Sequence, residues 1–439
     1  MSKTGDWRKA PVIYEIYVRS FADSTGSGIG DLRGVTERLE HVAALGVDAI
    51  WLCPFFVSPL DDGGYDIVNH REVAERHGTI EDFDALVARA HELGLKVLID
   101  QVFNHTSCDH PKFEAAIAGD EDEAACYLWR DPKPDGTAPN NWISQFGQPA
   151  WTWNHRRRQY YLHQFLPCQP SLNLRNPRVR EMHCETINFW LDRGVDGFRL
   201  DAVTSYLYDE SLADNPPARP VVQDQVSGPN YNPYTYQDHV YDMLPGDGAA
   251  FAETVRSWVG GDVFLLGEST SGNQSIKLAM DFSEPGRLDF CYTHDAIHGA
   301  QGPQLMADVL RDLDGRWRLP WWFSCHDQPR HNSKLGDGTP ESARFFALLL
   351  APLPGPVLIY QGEELGLSQP KLSYEENTDP FDRLYWPDPP GREGPRVPIP
   401  WTEDGPARGD DVPARGVAGG GPRAQRRAEL VSRAAQQAG

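Results

Sequence analysis

A (β/α)8 barrel, or TIM barrel, is the fold class that this sequence of 439 residues predicts. Apolar strand-like runs alternate with amphipathic helical runs along most of the chain, which favours a parallel sheet wrapped by helices. Four of the apolar runs end in an acidic residue, namely Asp100, Asp201, Glu268 and Asp327. Carboxylates at the C-terminal ends of several parallel strands are the arrangement that barrel enzymes use for catalysis.

The strand and helix candidates follow one another in the order that a barrel requires. We predict strands at residues 12–17, 47–52, 96–100, 197–201, 263–267, 288–292, 321–324 and 357–360. We predict helices at residues 31–45, 79–93, 177–193, 249–259, 303–313 and 341–350. An open doubly wound sheet is the alternative, but it needs a glycine-rich phosphate turn directly after its first strand. Gly26, Gly28 and Gly30 lie in a longer loop well after that strand, so the barrel is favoured.

The helix at residues 79–93 has the clearest signals. Thr79 is a good N-cap and Asp82 follows three residues later, while Gly94 stands just beyond the last turn. The apolar positions recur at helical spacing, and they are Phe83, Leu86, Val87 and Ala90.

The chain divides into four segments. Residues 1–103 form the first part of the barrel, and residues 104–173 are a polar, aromatic excursion, an inserted domain B after the third strand. Residues 174–401 complete the barrel. Residues 402–439 contain no aromatic residue, no isoleucine and no lysine after Trp401, so this atypical tail is expected to be disordered.

Composition limits the partners and the compartment. The formal charge of −22 argues against nucleic acid and anionic membranes, which both select basic surfaces. The seven cysteines are widely spaced with no CxxC pair, which favours reduced thiols over a disulfide framework or a zinc site. The first nineteen residues contain no apolar leader, and no run is long enough to span a membrane. We therefore expect a cytoplasmic protein.

The acidic strand ends suit the cleavage of a glycosidic bond, which needs two carboxyl groups in different protonation states. Arg199 lies two residues before Asp201 on the same strand face, where a guanidinium is expected to keep Asp201 ionised. Burial at the end of its strand is expected to raise the pKa of Glu268, as a general acid requires. A single strand-end Asp is more often a helix N-cap or a salt-bridge partner. Four such carboxylates beside Arg and His favour an active site.

The motifs around these residues resemble those of the α-amylase superfamily, glycoside hydrolase family 13. The four signatures are similar to Asp100–His105, Gly197–Ala202, Gly267–Glu268 and His326–Asp327. Within the superfamily, further segments resemble α-glucosidases and oligo-1,6-glucosidases, and these are residues 13–21, 64–67, 139–142, 159–165 and 169–173. The resemblance covers about residues 7–401.

The resemblance implies a role for each residue of the site. Asp201 is implied as nucleophile, Glu268 as acid/base catalyst and Asp327 as transition-state stabiliser, with Asp100 supporting Arg199. The implied substrate-binding residues are Asp62, Tyr65, His105, Phe165, Arg199, His326 and Arg396. Asp62 and Arg396 resemble the pair that closes the blind end of an exo-acting pocket.

The expected function is retaining hydrolysis of terminal α-linked glucose from short oligosaccharides, with transglucosylation as a side activity. Ala202, directly after the nucleophile, favours α-1,4 over α-1,6 linkages, since valine accompanies α-1,6 preference in the subgroup. Two alternatives remain. One is a glucosyltransferase directed at sucrose or trehalose, and the other is an inactive sugar-binding relative.

Three departures from the family pattern qualify these expectations. The loop from Asp23 to Asp31 resembles a calcium or magnesium loop but carries Thr25 and Ser27 where carboxylate or amide ligands are usual. A hard divalent ion prefers oxygen-rich carboxylate sites, so we expect at most a weak structural cation there and no required cofactor. Ser171 stands where the subgroup has Asp. No last barrel helix or C-terminal β-sandwich is recognisable after Trp401, and we expect a truncated or frame-shifted C-terminus.

Overall fold

The computed structural model describes residues 6–218, 232–270, 275–294, 307, 309–311, 313, 315 and 318–402. Twelve strands occur within these residues, and we number them in chain order. They are β1 Val12–Ile16, β2 Ala49–Leu52, β3 Phe56–Val57, β4 Asn69–Val73, β5 Lys96–Gln101, β6 Trp129–Arg130, β7 Trp151–Asn154, β8 Gln159–Leu162, β9 Gly197–Leu200, β10 Phe264–Ser269, β11 Phe290–Thr293 and β12 Val357–Tyr360.

Seven strands form one curled parallel sheet in the order β11-β10-β9-β5-β2-β1-β12. From β2 to β11, each strand of this sheet pairs with the sheet strand that precedes it in the chain. The last strand, β12, returns to pair with β1 in the register Val12↔Val357. A doubly wound sheet would instead reverse its strand order at a switch point. The sequential order and the contact between first and last strand confirm the predicted barrel class.

The run predicted as a strand at residues 321–324 is not a strand in the structure. Trp321 makes only an isolated parallel bridge with Val357. The indole Nε1 of Trp322 donates to the Thr293 carbonyl at 3.2 Å, so the segment lies between the two edge strands β12 and β11. Trp321 exchanges backbone hydrogen bonds with Pro356 and Leu358, but the bridge does not extend to neighbouring residues, so the prediction of a regular strand was wrong.

The helices pack around this sheet. Those of eight residues or more are Leu32–Ala44, Ile80–Glu92, Pro111–Ala118, Pro177–Leu191, Pro245–Val259, Ser275–Phe282 and Pro340–Leu350. Shorter ones are Val18–Phe21, Glu121–Ala124, His331–Lys334 and Pro380–Leu384. The helix predicted at 303–313 falls largely outside the described residues, and so does the tail predicted to be disordered, from residue 403 onward.

The helix Ile80–Glu92 confirms its sequence signals. The Thr79 side chain accepts from the Asp82 backbone, and the Asp82 side chain accepts from the Thr79 backbone in return, which is a complete capping box. The buried face consists of the four predicted residues, Phe83, Leu86, Val87 and Ala90. Gly94 then adopts a φ of 77°, a left-handed conformation that suits glycine after a helix.

The segment between β5 and the helix Pro177–Leu191 carries its own small sheet, antiparallel and in the order β6-β8-β7. Most of its tryptophans are buried in packing roles, as expected. Trp129 stacks on Phe113 with ring centroids 5.4 Å apart, while Trp142 and Trp151 belong to a separate apolar cluster. This unit stands beside the carboxyl ends of the barrel strands, since its Ser171 pairs with His105 just after β5.

Two further findings concern the whole described chain. All seven cysteines are free thiols, as the sequence predicts. Among the described residues, none of the helices combines the length and the apolar character that crossing a bilayer requires.

Candidate active site

Arg199 is the centre of the site and is completely buried at the carboxyl end of β9. Its Nη1 lies 2.6 Å from Asp100 Oδ1 and 2.7 Å from Asp201 Oδ1, and its Nη2 lies 2.5 Å from Glu268 Oε2. The sheet register produces this arrangement, because Arg199 pairs with Asp100 on β5 and lies beside β10, which carries Glu268. We call Asp100, Arg199, Asp201 and Glu268 the floor of the site.

Aromatic side chains fix the guanidinium in place. The Tyr292 hydroxyl accepts from Arg199 Nε at 3.2 Å and from Nη2 at 2.9 Å. The Trp51 ring centroid lies 4.9 Å from Arg199 Cζ, and the Trp51 indole donates to Asp100 Oδ2 at 2.9 Å. A buried ion cluster needs such hydrogen bonds in addition to opposite charges. The floor is therefore rigid before any ligand binds, as electrostatic catalysis requires.

Asp201 lies at the opening of this cluster and is 7 % exposed. Burial raises the pKa of the Asp201 carboxyl well above its usual value, and Arg199 opposes that rise only in part. The nearby carboxylates Glu268 and Asp100 raise it further. This direction runs against the prediction that Arg199 keeps Asp201 ionised, because the one guanidinium is shared by three carboxyl groups.

The charged form of Glu268 has more hydrogen-bond donors than that of Asp201. Its Oε1 lies 2.8 Å from His294 Nε2, and its Oε2 accepts from the Ala202 backbone N–H at 3.2 Å. Burial opposes ionisation of Glu268, but Arg199 and the His294 hydrogen bond outweigh it and lower the pKa of Glu268 to about 2. This direction is opposite to the predicted rise in the pKa of Glu268. Asp201 and Glu268 both contact Arg199, so the two carboxyl groups titrate as one coupled pair.

Asp327 faces the floor from the opposite side. Its Oδ1 lies 2.8 Å from Arg392 Nη2 and 2.6 Å from Arg396 Nη2. Its Oδ2 lies 3.2 Å from His326 Nε2. Burial opposes its charge, but His326, Arg392 and Arg396 outweigh burial and hold the pKa of Asp327 well below its usual range. Asp327 is thus a permanent negative charge, as the stabiliser of a cationic transition state must be.

The partner of Asp62 differs from the prediction. Arg392 Nη2, not Arg396, lies 3.4 Å from Asp62 Oδ1. Arg396 instead reaches Asp379 Oδ2 at 3.1 Å and donates through Nε to the His326 carbonyl at 2.9 Å. Both arginines come from the same loop, and the first of the two projects toward Asp62. We call the set Asp62, Asp327, Asp379, Arg392 and Arg396 the wall of the site.

The remaining predicted binding residues lie between floor and wall. The Tyr65 hydroxyl donates to Asp100 Oδ2 at 3.1 Å. His105 Nε2 lies 3.1 Å from Gln169 Nε2, and Gln169 also donates to Asp62 Oδ2 at 2.9 Å. Burial lowers the pKa of His105 to about 4, so the ring is neutral at pH 7. Phe165 packs on His105 with ring centroids 5.1 Å apart.

The candidate cation loop is held together by its own hydrogen bonds. Asp23 accepts from the backbone N–H groups of Thr25, Gly26 and Gly28 at 2.7–2.9 Å. Asp31 accepts from the Ser24 backbone and caps the helix Leu32–Ala44 through the Gly34 N–H. Both carboxylates therefore have donors without an ion, and a weak cation site at Asp23 and Asp31 stays a prediction.

Several residues of the site escaped the sequence reasoning. They are Glu15, Trp51, Gln169, Tyr292, His294, Asp379 and Arg392. Glu15 gave a readable signal, because it is an acidic residue inside the otherwise apolar strand β1. Arg392 gave none, because the loop that carries it has no regular period.

The fold and the site together define a barrel enzyme with a coupled carboxyl pair at its strand ends. The family model described as α-amylase catalytic domain matches residues 15–409. The chain belongs to this family of glycoside hydrolases, which confirms the predicted membership.

Individual relatives support this assignment. A probable α-glucosidase of Rhizobium meliloti (strain 1021) is 45% identical over 410 residues, covering 90% of this chain and 74% of the relative. A trehalose-6-phosphate hydrolase of Escherichia coli (strain K12) is 38% identical over 399 residues, covering 85% of this chain and 68% of the relative. The crystal structure of an α-glucosyl transfer enzyme superposes with a TM-score of 0.87 at 41% identity, covering 92% of this chain and 77% of that one.

Proposed function

We propose that this chain is a retaining, exo-acting α-glucosidase that releases terminal α-linked glucose from short oligosaccharides. The observation that carries the proposal is the wall. Arg392 links Asp62 and Asp327 by ion pairs at 3.4 and 2.8 Å, and we infer that this chain of ion pairs closes one end of the site. Such a barrier admits the end of a sugar chain rather than its middle. The family membership and the α-glucosidase relative support the same substrate class.

In the proposed reaction Asp201 attacks the anomeric carbon and forms a glucosyl ester. Glu268 protonates the glycosidic oxygen as the leaving sugar departs, and it then removes a proton from the water that hydrolyses the ester. The negative charge of Asp327 stabilises the positive charge that develops on the ring.

Glu268 must carry a proton for the first step, whereas its contacts with Arg199 and His294 favour the ionised form. Burial meanwhile raises the pKa of the Asp201 carboxyl. A bound glucosyl unit therefore has to weaken the contact between Arg199 and Glu268, so that the coupled pair holds its proton on Glu268 and leaves Asp201 ionised. Arg199 then stabilises the ionised nucleophile through its 2.7 Å contact.

We further propose that α-1,4 linkages are favoured and that transfer to other hydroxyl groups accompanies hydrolysis. Ala202 supports the linkage preference, because its small side chain directly follows the nucleophile and leaves room for the leaving sugar. The α-glucosyl transfer enzyme among the similar structures supports the second point. Seven free thiols support a reducing, cytoplasmic location.

The test is product analysis of the purified chain with maltose, isomaltose, sucrose, trehalose and p-nitrophenyl α-glucoside. We expect maltose to be cleaved most efficiently, with α-glucose as the first anomer seen by NMR. Preferred turnover of sucrose or trehalose, with glucosyl transfer products instead of free glucose, would favour the glucosyltransferase alternative. A folded protein without turnover on all five substrates would exclude the proposed activity.

A further inference from the structure

Glu15 is an acidic side chain in the middle of β1 and is 1 % exposed. The proposed reaction does not use Glu15, yet its Oε1 contacts three polar atoms next to the site. It lies 2.6 Å from His326 Nδ1 and 3.2 Å from the His326 backbone N. The Cys53 thiol donates to the same oxygen at 3.5 Å. Both ends of the His326 residue, backbone and ring, are thus held by a single carboxylate oxygen.

The His326 ring cannot turn away from this contact. It is stacked between Tyr65, at 5.1 Å and 9° between the ring planes, and Tyr17, at 6.3 Å and 4°. Trp51 closes a third side edge-on at 5.9 Å. With the ring confined in this way, the contact of Glu15 with Nδ1 leaves Nε2 directed away from Glu15, toward Asp327.

Nε2 is the atom left for a ligand. It lies 3.2 Å from Asp327 Oδ2, at an angle that makes no hydrogen bond, and among the described residues it has no other hydrogen-bond partner. His326 is itself completely buried. A buried N–H that faces the transition-state carboxylate without an acceptor of its own suits a hydroxyl group of a bound sugar.

The charge around the ring favours the imidazolium form. The charged and titratable groups around it are Glu15 from β1, Cys53 after β2, Asp100 from β5 and Asp327 from the wall, with Tyr17 and Tyr65 stacked on the ring. Arg396 donates to the His326 backbone carbonyl. Burial opposes the charge, but the carboxylate of Asp327 outweighs burial, and the pKa of His326 lies well above its usual value.

We propose that Glu15 is a positioning residue that holds His326 doubly protonated, with its Nε2–H directed at a hydroxyl group of the terminal glucosyl unit. The inference rests on the proposed function for the identity of the ligand. It goes further than the proposed function because it assigns a role to Glu15 on β1, which does not touch the substrate. Glu15 controls the proton on His326 Nε2 that binds the sugar hydroxyl.

The test is Glu15→Gln, which keeps the shape of the side chain and removes its charge. Because protonated His326 is the competent form, activity is lost as pH rises through the pKa of His326. Removing the carboxylate lowers that pKa, so the basic limb of the kcat/KM profile should move to lower pH by about one unit or more. At pH 7 we expect kcat/KM to fall about ten- to a hundred-fold, as for the loss of one charge-assisted hydrogen bond.

The matched control is Tyr14→Phe. Tyr14 is the neighbouring residue on β1, and its hydroxyl makes a buried hydrogen bond with Glu364 at 2.8 Å, on the side of the strand away from the site. This variant should lose a similar amount of stability without any change in the pH profile. Equal stability losses with unshifted profiles in both variants would overturn the proposal. If E15Q does not fold, Glu15→Asp tests the position of the carboxylate instead, because the shorter side chain keeps the charge but draws it away from His326 Nδ1, and a smaller shift in the same direction is expected.

A readout independent of turnover separates this proposal from the proposed function. The His326 ring resonance, assigned by comparison with His326→Gln in histidine-labelled protein, should titrate at lower pH in E15Q than in the unmodified chain. An inactive protein that shows this difference would refute the glucosidase activity and retain the coupling. An active protein with an unchanged titration would refute the coupling alone.

Discussion

The floor and the wall of the site are both built from arginines and carboxylates, but they are constructed in different ways. The floor groups stand on β5, β9 and β10, where the strand register sets their spacing. Asp379, Arg392 and Arg396 of the wall stand on a loop region between residues 377 and 396, in which the short helix Pro380–Leu384 and one helical turn are the regular elements. We infer that the residues of the sheet carry out the reaction and that the residues of the loop select the substrate. The sequence of a loop can vary without disturbing the barrel.

The largest expected effect is on the floor. Asp201→Asn removes the nucleophile and preserves its size, so kcat/KM on p-nitrophenyl α-glucoside should fall about 10⁴-fold. The free energy of unfolding should rise or stay unchanged, because the variant removes the Asp201 carboxyl group, whose charged form burial disfavours. Steady-state kinetics and urea unfolding measure the two quantities.

Asp196→Asn is the matched control for the floor. Asp196 directly precedes β9 at its amino end, where it pairs with Lys96 at 2.7 Å. Groups at that end of a barrel contribute to stability rather than catalysis. A large loss of turnover in the control, or activity retained in D201N, would contradict the division of labour between the two ends.

The intermediate effect separates the two arginines of the wall. Arg392→Gln removes the contacts to Asp62 and Asp327 and a 3.4 Å ion pair with Asp379, which Arg396 still contacts at 3.1 Å. We expect kcat/KM for maltose to fall about ten- to a hundred-fold, mainly through KM. Arg396 is more deeply enclosed, beneath the Tyr17 ring and between Asp327 and Asp379. Arg396→Gln should instead destabilise the fold by about 3–5 kcal/mol, because it leaves buried carboxylates unpaired.

The same loop provides a control in Arg383, which lies over the Tyr374 ring at 5.2 Å and away from the wall carboxylates. Arg383→Gln should leave KM and the urea midpoint nearly unchanged. Equal KM values for the Arg392 and Arg396 variants would show that the wall acts as one unit rather than as a binding group and a structural group.

The last expected effect concerns acid sensitivity, which should come from buried histidines outside the wall. Burial lowers the pKa of His77, His105 and His163 to about 4 from an ordinary value of 6.5. Between these values the unfolded chain binds more protons than the folded one, so the free energy of unfolding should fall as pH decreases from 6.5 to 4. The wall loop has no histidine. The depressed pKa of Asp327 stabilises the fold above pH 3.8, and that stabilisation is lost only below it.

Urea titrations from pH 7 to pH 4 measure this slope. His77→Gln should reduce it, because the amide can still donate to the Gly30 carbonyl that His77 Nδ1 contacts at 2.9 Å, but it does not titrate. His155→Gln, on an exposed turn between β7 and β8, should leave the slope unchanged. A slope that is the same in H77Q and in the parent chain would contradict the assignment.

The floor could be read from sequence because its residues obey simple periodicities. An apolar run ending in Asp or Glu predicts a strand end, and alternation places Arg199 and Asp201 on the same face. The wall had no such pattern. Arg396 was found only through a resemblance, its supposed partner Asp62 turned out to contact Arg392, and Asp379 was not recognised.

The protonation states of the floor were beyond reach for a different reason. The sequence shows that Arg199 is close to Asp201, but not that its second nitrogen reaches Glu268 or that His294 donates to the same carboxylate. The direction of each pKa depends on these distances, which long-range packing sets. The irregular segment at Trp321 and Trp322 was similarly hidden, since contacts of its indole groups with the distant Pro354 and Thr293 carbonyls cannot be read from the sequence.

The pairing of β1 with β12 has a consequence for biosynthesis. The first strand leaves the ribosome early, yet one of its two edges finds its partner only when residue 357 has emerged. At typical translation rates this delay is about 20–70 s. Throughout that interval the nascent protein carries an apolar strand with one unpaired edge. Its yield in a cell should therefore depend on chaperone capacity and on the speed of elongation.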